Sequence, residues 1–107
     1  MLLRTLVAGL TDEDARRVEQ AVGRLDVLVS RARDAGELRR RLARRPIDLV
    51  FLGPALTASP TLLREVGRAG RTAVVAVVEN SGAEDRTRLL ADGCLAVIEL
   101  DVDDDLL

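Results

Sequence analysis

The sequence predicts one three-layer α/β domain, in which helices cover both faces of a five-stranded parallel sheet. Its 107 residues suffice for one domain with its own core and are too few for two. Short apolar runs alternate with longer amphipathic segments, and this alternation favours right-handed crossovers between parallel strands. The run Ile47–Leu52 is apolar on both faces, which is typical of a central parallel strand. The predicted strand order is 2-1-3-4-5.

The first strand is predicted from Leu2 to Ala8, and the first helix from Asp12 to Leu25. Thr11 offers a hydroxyl cap, and the acids of the first turn suit the positive end of the helix dipole. The apolar residues recur at helical spacing. The predicted buried stripe is Ala15, Val18, Ala21, Val22 and Leu25.

The other elements follow from apolar runs, caps, prolines and glycines. Pro46 ends the second helix, Ser59 and Pro60 begin the third, and Ser81 with Glu84 forms a capping box for the fourth. The remaining predicted strands are 26–30, 47–52, 72–78 and 94–99. The remaining predicted helices are 35–45, from 60 to a stop at Gly67 and Gly70, and from 81 to Asp92 and Gly93.

Composition excludes several kinds of chemistry. The chain has no histidine, and all 16 basic residues are arginine, so imidazole catalysis, Schiff-base lysines and a Walker-type lysine are excluded. The net charge of −2 argues against general attraction to nucleic acid or to an anionic membrane. The single Cys94 excludes an internal disulfide and fits a reducing cytoplasm, and no apolar run approaches the roughly 20 residues of a membrane span.

The last seven residues, Asp101–Leu107, resemble the first turn of a helix that does not follow. We therefore expect the fifth helix of a five-stranded α/β sheet to be absent or truncated. The chain is interpreted as the N-terminal part of a longer protein. The alternative is a self-sufficient short domain whose bare sheet face, beside the first helix, is covered by a partner chain. Because large apolar patches are uncommon on monomers, we also expect the chain to self-associate, most simply as a homodimer through that face and the edge of the fifth strand. That homodimer would be seen by sedimentation at several concentrations.

Several short segments in register resemble the receiver domain of bacterial response regulators, a flavodoxin-like fold. These segments are 32–38, Asp48-Leu49-Val50, Glu84-Asp85-Arg86 and Ala91-Asp92-Gly93. The resemblance implies a phosphoacceptor aspartate where Gly53 stands. It implies the paired acids that hold magnesium at Ala8 and Gly9, the switch residue at Val78 and the conserved lysine at Leu100.

None of these positions holds the residue that the family's chemistry uses, so the resemblance implies a pseudo-receiver. It would bind no metal and no cofactor, would not be an enzyme, and would act through protein–protein interaction independently of phosphorylation. The stretch Leu52–Leu56 is also similar to the degenerate receiver of Flp/Tad pilus-assembly localisation ATPases. A small-ligand sensor is the alternative, with Gly9, Gly53 and Gly82 opening a crevice at the carboxyl edge of the sheet. The same glycines fit simple turns.

Arginines crowd the second helix, and Arg40, Arg41 and Arg44 are predicted to point outward. Three interpretations are open: a solvated face, a docking patch for an acidic partner, and a nucleic-acid site. Nucleic acid is disfavoured because three arginines contact few phosphates and no aromatic residue is available for stacking. Arg31 and Asp34 fit a four-residue pattern of cyclic-dinucleotide sites, and a match this short arises readily by chance.

Overall fold

A computed structural model describes residues 3–23, 27–68, 72–78 and 83–99. The strands are β1 (Leu3–Ala8), β2 (Val27–Ala32), β3 (Leu49–Leu52), β4 (Ala73–Val78) and β5 (Ala96–Glu99). The helices are α1 (Asp12–Val22), α2 (Ala35–Arg44), α3 (Pro54–Thr57), α4 (Pro60–Arg68) and α5 (Ala83–Ala91). All strand pairs are parallel, and the order is β2-β1-β3-β4-β5. The predicted flavodoxin-like fold and its strand order are confirmed.

The sheet separates two apolar cores, because successive side chains of a strand point to opposite faces. Leu6 and Ala8 of β1 belong to the core shared with α2, α3, α4 and α5, and Val7 belongs to the core shared with α1. Phe51 lies in the α1 core and is buried. Aliphatic residues form most of both cores, as the composition requires.

The first helix is shorter than predicted. α1 ends at Val22, and Gly23 caps it by donating its N–H to the carbonyl of Glu19 at 2.8 Å. Ala21 is exposed, so its place in the predicted buried stripe is wrong, whereas Ala15 and Val18 are buried as predicted. The Leu25 position lies outside the described residues.

The third strand begins at Leu49, two residues later than predicted. The reason is Asp48, whose carboxylate accepts the N–H of Arg4 at 2.9 Å. A helical turn, α3, then follows the strand directly and was not predicted. Pro54 occupies its first turn, and Gly53 precedes it as the N-cap residue.

The α4 helix begins at Pro60 as predicted, and Ser59 Oγ accepts the N–H of Leu62 at 3.3 Å. Gly67 lies inside α4 rather than ending it, and Gly70 lies outside the described residues. The Ser81 half of the predicted capping box also lies outside them. Gly93 follows α5 with a positive φ of 110°, which agrees with the predicted helix end.

Residues 100–107 lie outside the described part of the chain. The predicted absence of a fifth helix concerns these residues and therefore stays a prediction. The homodimer and the longer parent protein stay predictions. Within the described ranges, none of the helices combines the length and the apolar character needed to cross a membrane.

Candidate functional site

The candidate site lies at the carboxyl edge of the sheet, where β1 and β3 end. Gly53 donates its N–H to the carbonyl of Ala8 at 2.9 Å, and Gly9 donates its N–H to the carbonyl of Ala32 at 3.1 Å. A Cβ atom on Gly53 would lie 2.1 Å from the carbonyl oxygen of Gly9. The backbones of Gly9 and Gly53 therefore touch, in the space that a side chain at position 53 would need.

Two leucines fill the space around this contact. A Cβ atom on Gly9 would lie 2.7 Å from Cγ of Leu56, and one on Gly53 would lie 2.9 Å from Cδ2 of Leu10. Gly9 also has a φ of +71°, which residues with a Cβ rarely adopt. Leu56 is buried and is held by α3, in which the N–H groups of Leu56 and Thr57 each donate to the Gly53 carbonyl at 3.0 Å. Between the ends of β1 and β3, the edge is therefore closed by backbone and alkyl groups.

The predicted site residues are partly brought together. Ala8, Gly9 and Gly53 form the contact just described, and Val78 ends β4 as a buried member of the same core as Ala8. Leu100 lies outside the described residues. The crevice that a ligand sensor would use is occupied between Gly9 and Gly53, and Gly82 lies outside the described residues.

The acids of α1 serve the helix and its neighbouring arginines. Thr11 Oγ1 accepts the N–H of Asp14 at 3.2 Å, which makes Thr11 the cap that the sequence predicted. Asp12 lies 3.5 Å from Arg31, and Glu13 lies 3.5 Å from Arg17. These carboxylates support the helix dipole and local ion pairs.

Arg31 and Asp34, the proposed cyclic-dinucleotide pattern, have intramolecular roles. Arg31 donates to both carboxylate oxygens of Glu19, at 2.5 and 2.7 Å. This hydrogen bond lowers the pKa of Glu19 and raises that of Arg31. Asp34 caps α2 by accepting the N–H of Glu37 at 2.9 Å. Both residues of the pattern, Arg31 and Asp34, therefore make hydrogen bonds within the fold.

A second candidate site lies at the opposite, amino end of the strands. A cavity of about 660 Å³ opens there between α2 and the first strands of the sheet. We call it the arginine groove, and its charged lining residues are Arg4, Arg40, Arg41, Arg44, Arg45 and Glu37. Leu28, Val29, Ser30, Thr5 and Ile47 complete the wall. The three arginines predicted as a docking patch therefore share one groove.

Among the residues that the structure describes, only one of the groove's five arginines has an ion-pair partner. Arg41 lies 3.6 Å from Glu37, one turn earlier in the helix. Within the described ranges, no carboxylate ion-pairs with Arg4, Arg40, Arg44 or Arg45. Arg39, by contrast, points away from the groove toward Glu65, 2.8 Å away, and this hydrogen bond raises the pKa of Arg39.

Sequence reasoning missed Arg4 and Leu28 as groove residues. They are partners in the β1–β2 register, and they lie on the sheet face that α2 covers. The alternation of β1 places Arg4 on the same face as Leu6 and would have indicated that face. The pairing with Leu28 depends on the register, which no local pattern in the sequence states.

The titratable groups of the described residues were compared with the arrangement that a metal ion needs. Among the residues that the structure describes, no three histidine, cysteine, aspartate or glutamate side chains lie close enough to hold a metal ion. Cys94 is buried, and burial followed by the nearby charge of Asp92 raises the pKa of its thiol. A raised pKa keeps the thiol protonated, which fits the predicted role of a small buried apolar residue.

Several solved structures that superpose on this chain are response regulators or their receiver domains. A response regulator from Thermotoga maritima superposes with a TM-score of 0.82 at 20% identity, covering 94% of this chain and 86% of that one. NtrX from Brucella abortus has a TM-score of 0.81 at 22% identity, and covers 94% of this chain but only 23% of its own. A pilus assembly-related protein from Burkholderia pseudomallei K96243 has a TM-score of 0.75 at 16% identity, covering 92% of this chain and 78% of that one.

The chain has the receiver-like fold. At these identities the likeness shows the fold alone. No family model matches the sequence, and no curated protein matches it.

Proposed function

We propose that this domain is a degenerate receiver that works as a phosphorylation-independent docking or signal-input module in bacterial signalling. It performs no catalysis of its own and requires no metal or cofactor. Its partner is another protein or an effector domain attached to it. In NtrX from Brucella abortus, the matching part is likewise a fraction of a longer chain.

The observation that carries this proposal is the contact between Gly9 and Gly53. A phosphoacceptor must project an aspartate side chain into a space lined by metal-binding acids. Here that space holds the Gly9 carbonyl, 2.1 Å from where a Cβ of residue 53 would stand, and Leu56 packs beside it. Magnesium needs hard oxygen ligands in a near-octahedral arrangement, and the neighbouring side chains of Ala8, Leu10 and Val78 supply none.

Incubation with acetyl phosphate and Mg²⁺, followed by intact-mass measurement, tests the proposal. We expect no mass change in the wild-type chain under conditions that phosphorylate a receiver domain with an acceptor aspartate. A gain of one phosphoryl group that is lost at alkaline pH, as an acyl phosphate would be, would refute the proposal. The wild-type chain is the proper subject, because a Gly53→Asp variant also meets the Gly9 carbonyl.

The pilus assembly-related structural neighbour from Burkholderia pseudomallei favours a second candidate for the longer protein to which this domain belongs. The domain would then be the N-terminal localisation domain of a Flp/Tad pilus-assembly ATPase, again without phosphorylation. The reading frame downstream of Leu107 distinguishes the two: a Walker-type loop supports the ATPase, and a helix-turn-helix supports a transcription regulator.

A further inference from the structure

We propose that the arginine groove binds an acidic, extended segment of a partner protein, laid along the outer edge of β2. This inference rests on the proposed docking function and names the surface and the chemistry of the partner. It concerns the amino end of the strands, roughly 13 Å from the closed carboxyl edge if the rise from Arg4 to Ala8 is about 3.3 Å per residue.

The first observation is charge. Five arginines and one glutamate line the groove, and the only ion pair among them joins Arg41 to Glu37 at 3.6 Å within the described residues. The chain as a whole carries a net charge of −2. A local excess of unpaired guanidinium groups on an acidic protein attracts carboxylates, and arginine binds them with two parallel hydrogen bonds.

The second observation is the strand next to the groove. β2 is the edge of the sheet and pairs only with β1 among the described strands. Its outer N–H and C=O groups can therefore accept an extended peptide as an added strand. Leu28, 53% exposed, lies on this strand and lines the groove, so it offers an apolar contact beside the charges.

Strand geometry joins the two observations. In an added strand, every second side chain would face the α2 side of the sheet, where Arg40 and Arg44 line the groove. The intervening side chains would face the α1 side, where Arg31 is already bonded to Glu19. The groove therefore favours acidic residues at alternate positions of the partner segment.

An acidic protein segment fits better than the other polyanions. The side chains of Arg40, Arg41, Arg44 and Arg45 are exposed, whereas a small-ligand pocket encloses most of its ligand. The sole aromatic residue of the chain, Phe51, is buried in the α1 core and cannot stack on a base. A nucleic-acid duplex would also extend beyond the groove onto a chain of net negative charge.

The test is titration of the full chain into a dye-labelled peptide that alternates glutamate and threonine over six residues, at low and at moderate salt. We expect saturable binding that weakens with salt, and no binding of the matched peptide with glutamine in place of glutamate. The double variant that combines Arg40→Glu with Arg44→Glu should weaken binding by tenfold or more. The matched control, Arg16→Glu with Arg64→Glu, makes the same charge change at exposed sites outside the groove and should leave binding within about twofold.

Amide shifts in NMR spectra locate the contact, and we expect the largest at Leu28, Val29 and Ser30. If the glutamate variants fail to fold, Arg40→Gln with Arg44→Gln serves in their place. Absence of binding, equal weakening by the control pair, or shifts centred on α1 would overturn the proposal. Tighter binding of tripolyphosphate or duplex DNA with the same dependence on Arg40 and Arg44 would overturn the choice of a protein partner. Phosphorylation by acetyl phosphate is a separate measurement, so failure of either proposal is recognised independently.

Discussion

At the carboxyl ends of β1 and β3, the backbones of two glycines touch and Leu56 packs against Gly9. At the amino ends of β1 and β2, by contrast, an open groove holds five arginines. Open α/β sheets bind their ligands beyond the carboxyl ends of the strands, which is the first of these ends. In this chain that end is packed like a core, and the unpaired charge lies at the other. The interacting surface that we propose therefore lies at the opposite end of the sheet from the closed contact between Gly9 and Gly53.

A side chain placed at position 53 tests whether the carboxyl edge is closed. Gly53→Ala should destabilise the domain by about 3 kcal/mol, because the added Cβ would meet the Gly9 carbonyl at 2.1 Å and core overpacking carries costs of this size. Gly53 has an ordinary φ of −75°, so the loss would report the contact rather than backbone strain. Denaturant unfolding measures the change.

Gly67 provides the matched control for that substitution. It lies inside α4, and a Cβ there would meet no atom within 4 Å. Gly67→Ala should stabilise the domain by about 1 kcal/mol, the ordinary difference between glycine and alanine in a helix. Equal stability of the Gly53→Ala variant and the wild type would mean that the carboxyl edge is open, and the central argument for a closed site would fall.

The second prediction tests whether Leu56 packs against Gly9 at the closed edge. Gly9→Ala carries two costs: a left-handed φ of +71°, worth about 1–2 kcal/mol, and contact of its Cβ with Leu56. In a Leu56→Ala background only the first cost remains, so Gly9→Ala should be less destabilising there by about 1 kcal/mol. A double-mutant cycle by denaturant unfolding gives the coupling.

Leu63→Ala is the control background for this cycle. Leu63 is also a buried leucine of the same core, but the atoms nearest to a Cβ on Gly9 all belong to Leu56. Gly9→Ala should cost the same there as in the wild type. If the Leu56 and Leu63 backgrounds behave alike, Leu56 does not cover Gly9, and the edge is less tightly filled than described.

The sequence was sufficient to predict the architecture, because the signals for it are local. Apolar runs, the Thr11 and Ser59 caps and the stop at Gly93 each act within a few residues, and the crossover rule converts their order into a topology. One error, in the start of β3, arose where a distant group intervened. Asp48 bonds to the N–H of Arg4, 44 positions away, and β3 starts after it.

The two ends of the sheet were less predictable for the same reason. Gly9 and Gly53 were interpreted as turn residues or as the rim of a crevice, because nothing local indicates that their backbones touch. The groove likewise needs Arg4 and Leu28 in register with each other and under the second half of α2. Three of its arginines were visible in the sequence, but their convergence with Arg4 was not.

The last and smallest predicted effect concerns an arginine that is already paired. Arg31 lies on β2 and bonds to Glu19, unlike the unpaired arginines of the groove on the other face. The hydrogen bond from Arg31 lowers the pKa of Glu19 below its ordinary value of 4.5. A carboxylate with a lowered folded-state pKa stabilises the fold above its unfolded-state pKa, and this contribution is lost as the pH falls through the folded-state value.

Glu19→Gln should therefore lower the midpoint of thermal unfolding slightly at neutral pH, by less than the rise expected for Gly67→Ala, since partly exposed ion pairs contribute little. The difference from wild type should persist down to about pH 5 and shrink below pH 4.5, as the Glu19 carboxyl takes up its proton. In an Arg31→Gln background the Glu19 substitution should have no further effect. A difference that stays constant down to roughly pH 2, or that survives removal of Arg31, would show that Glu19 acts through packing, and the contrast between paired and unpaired arginines on the two faces would lose its electrostatic basis.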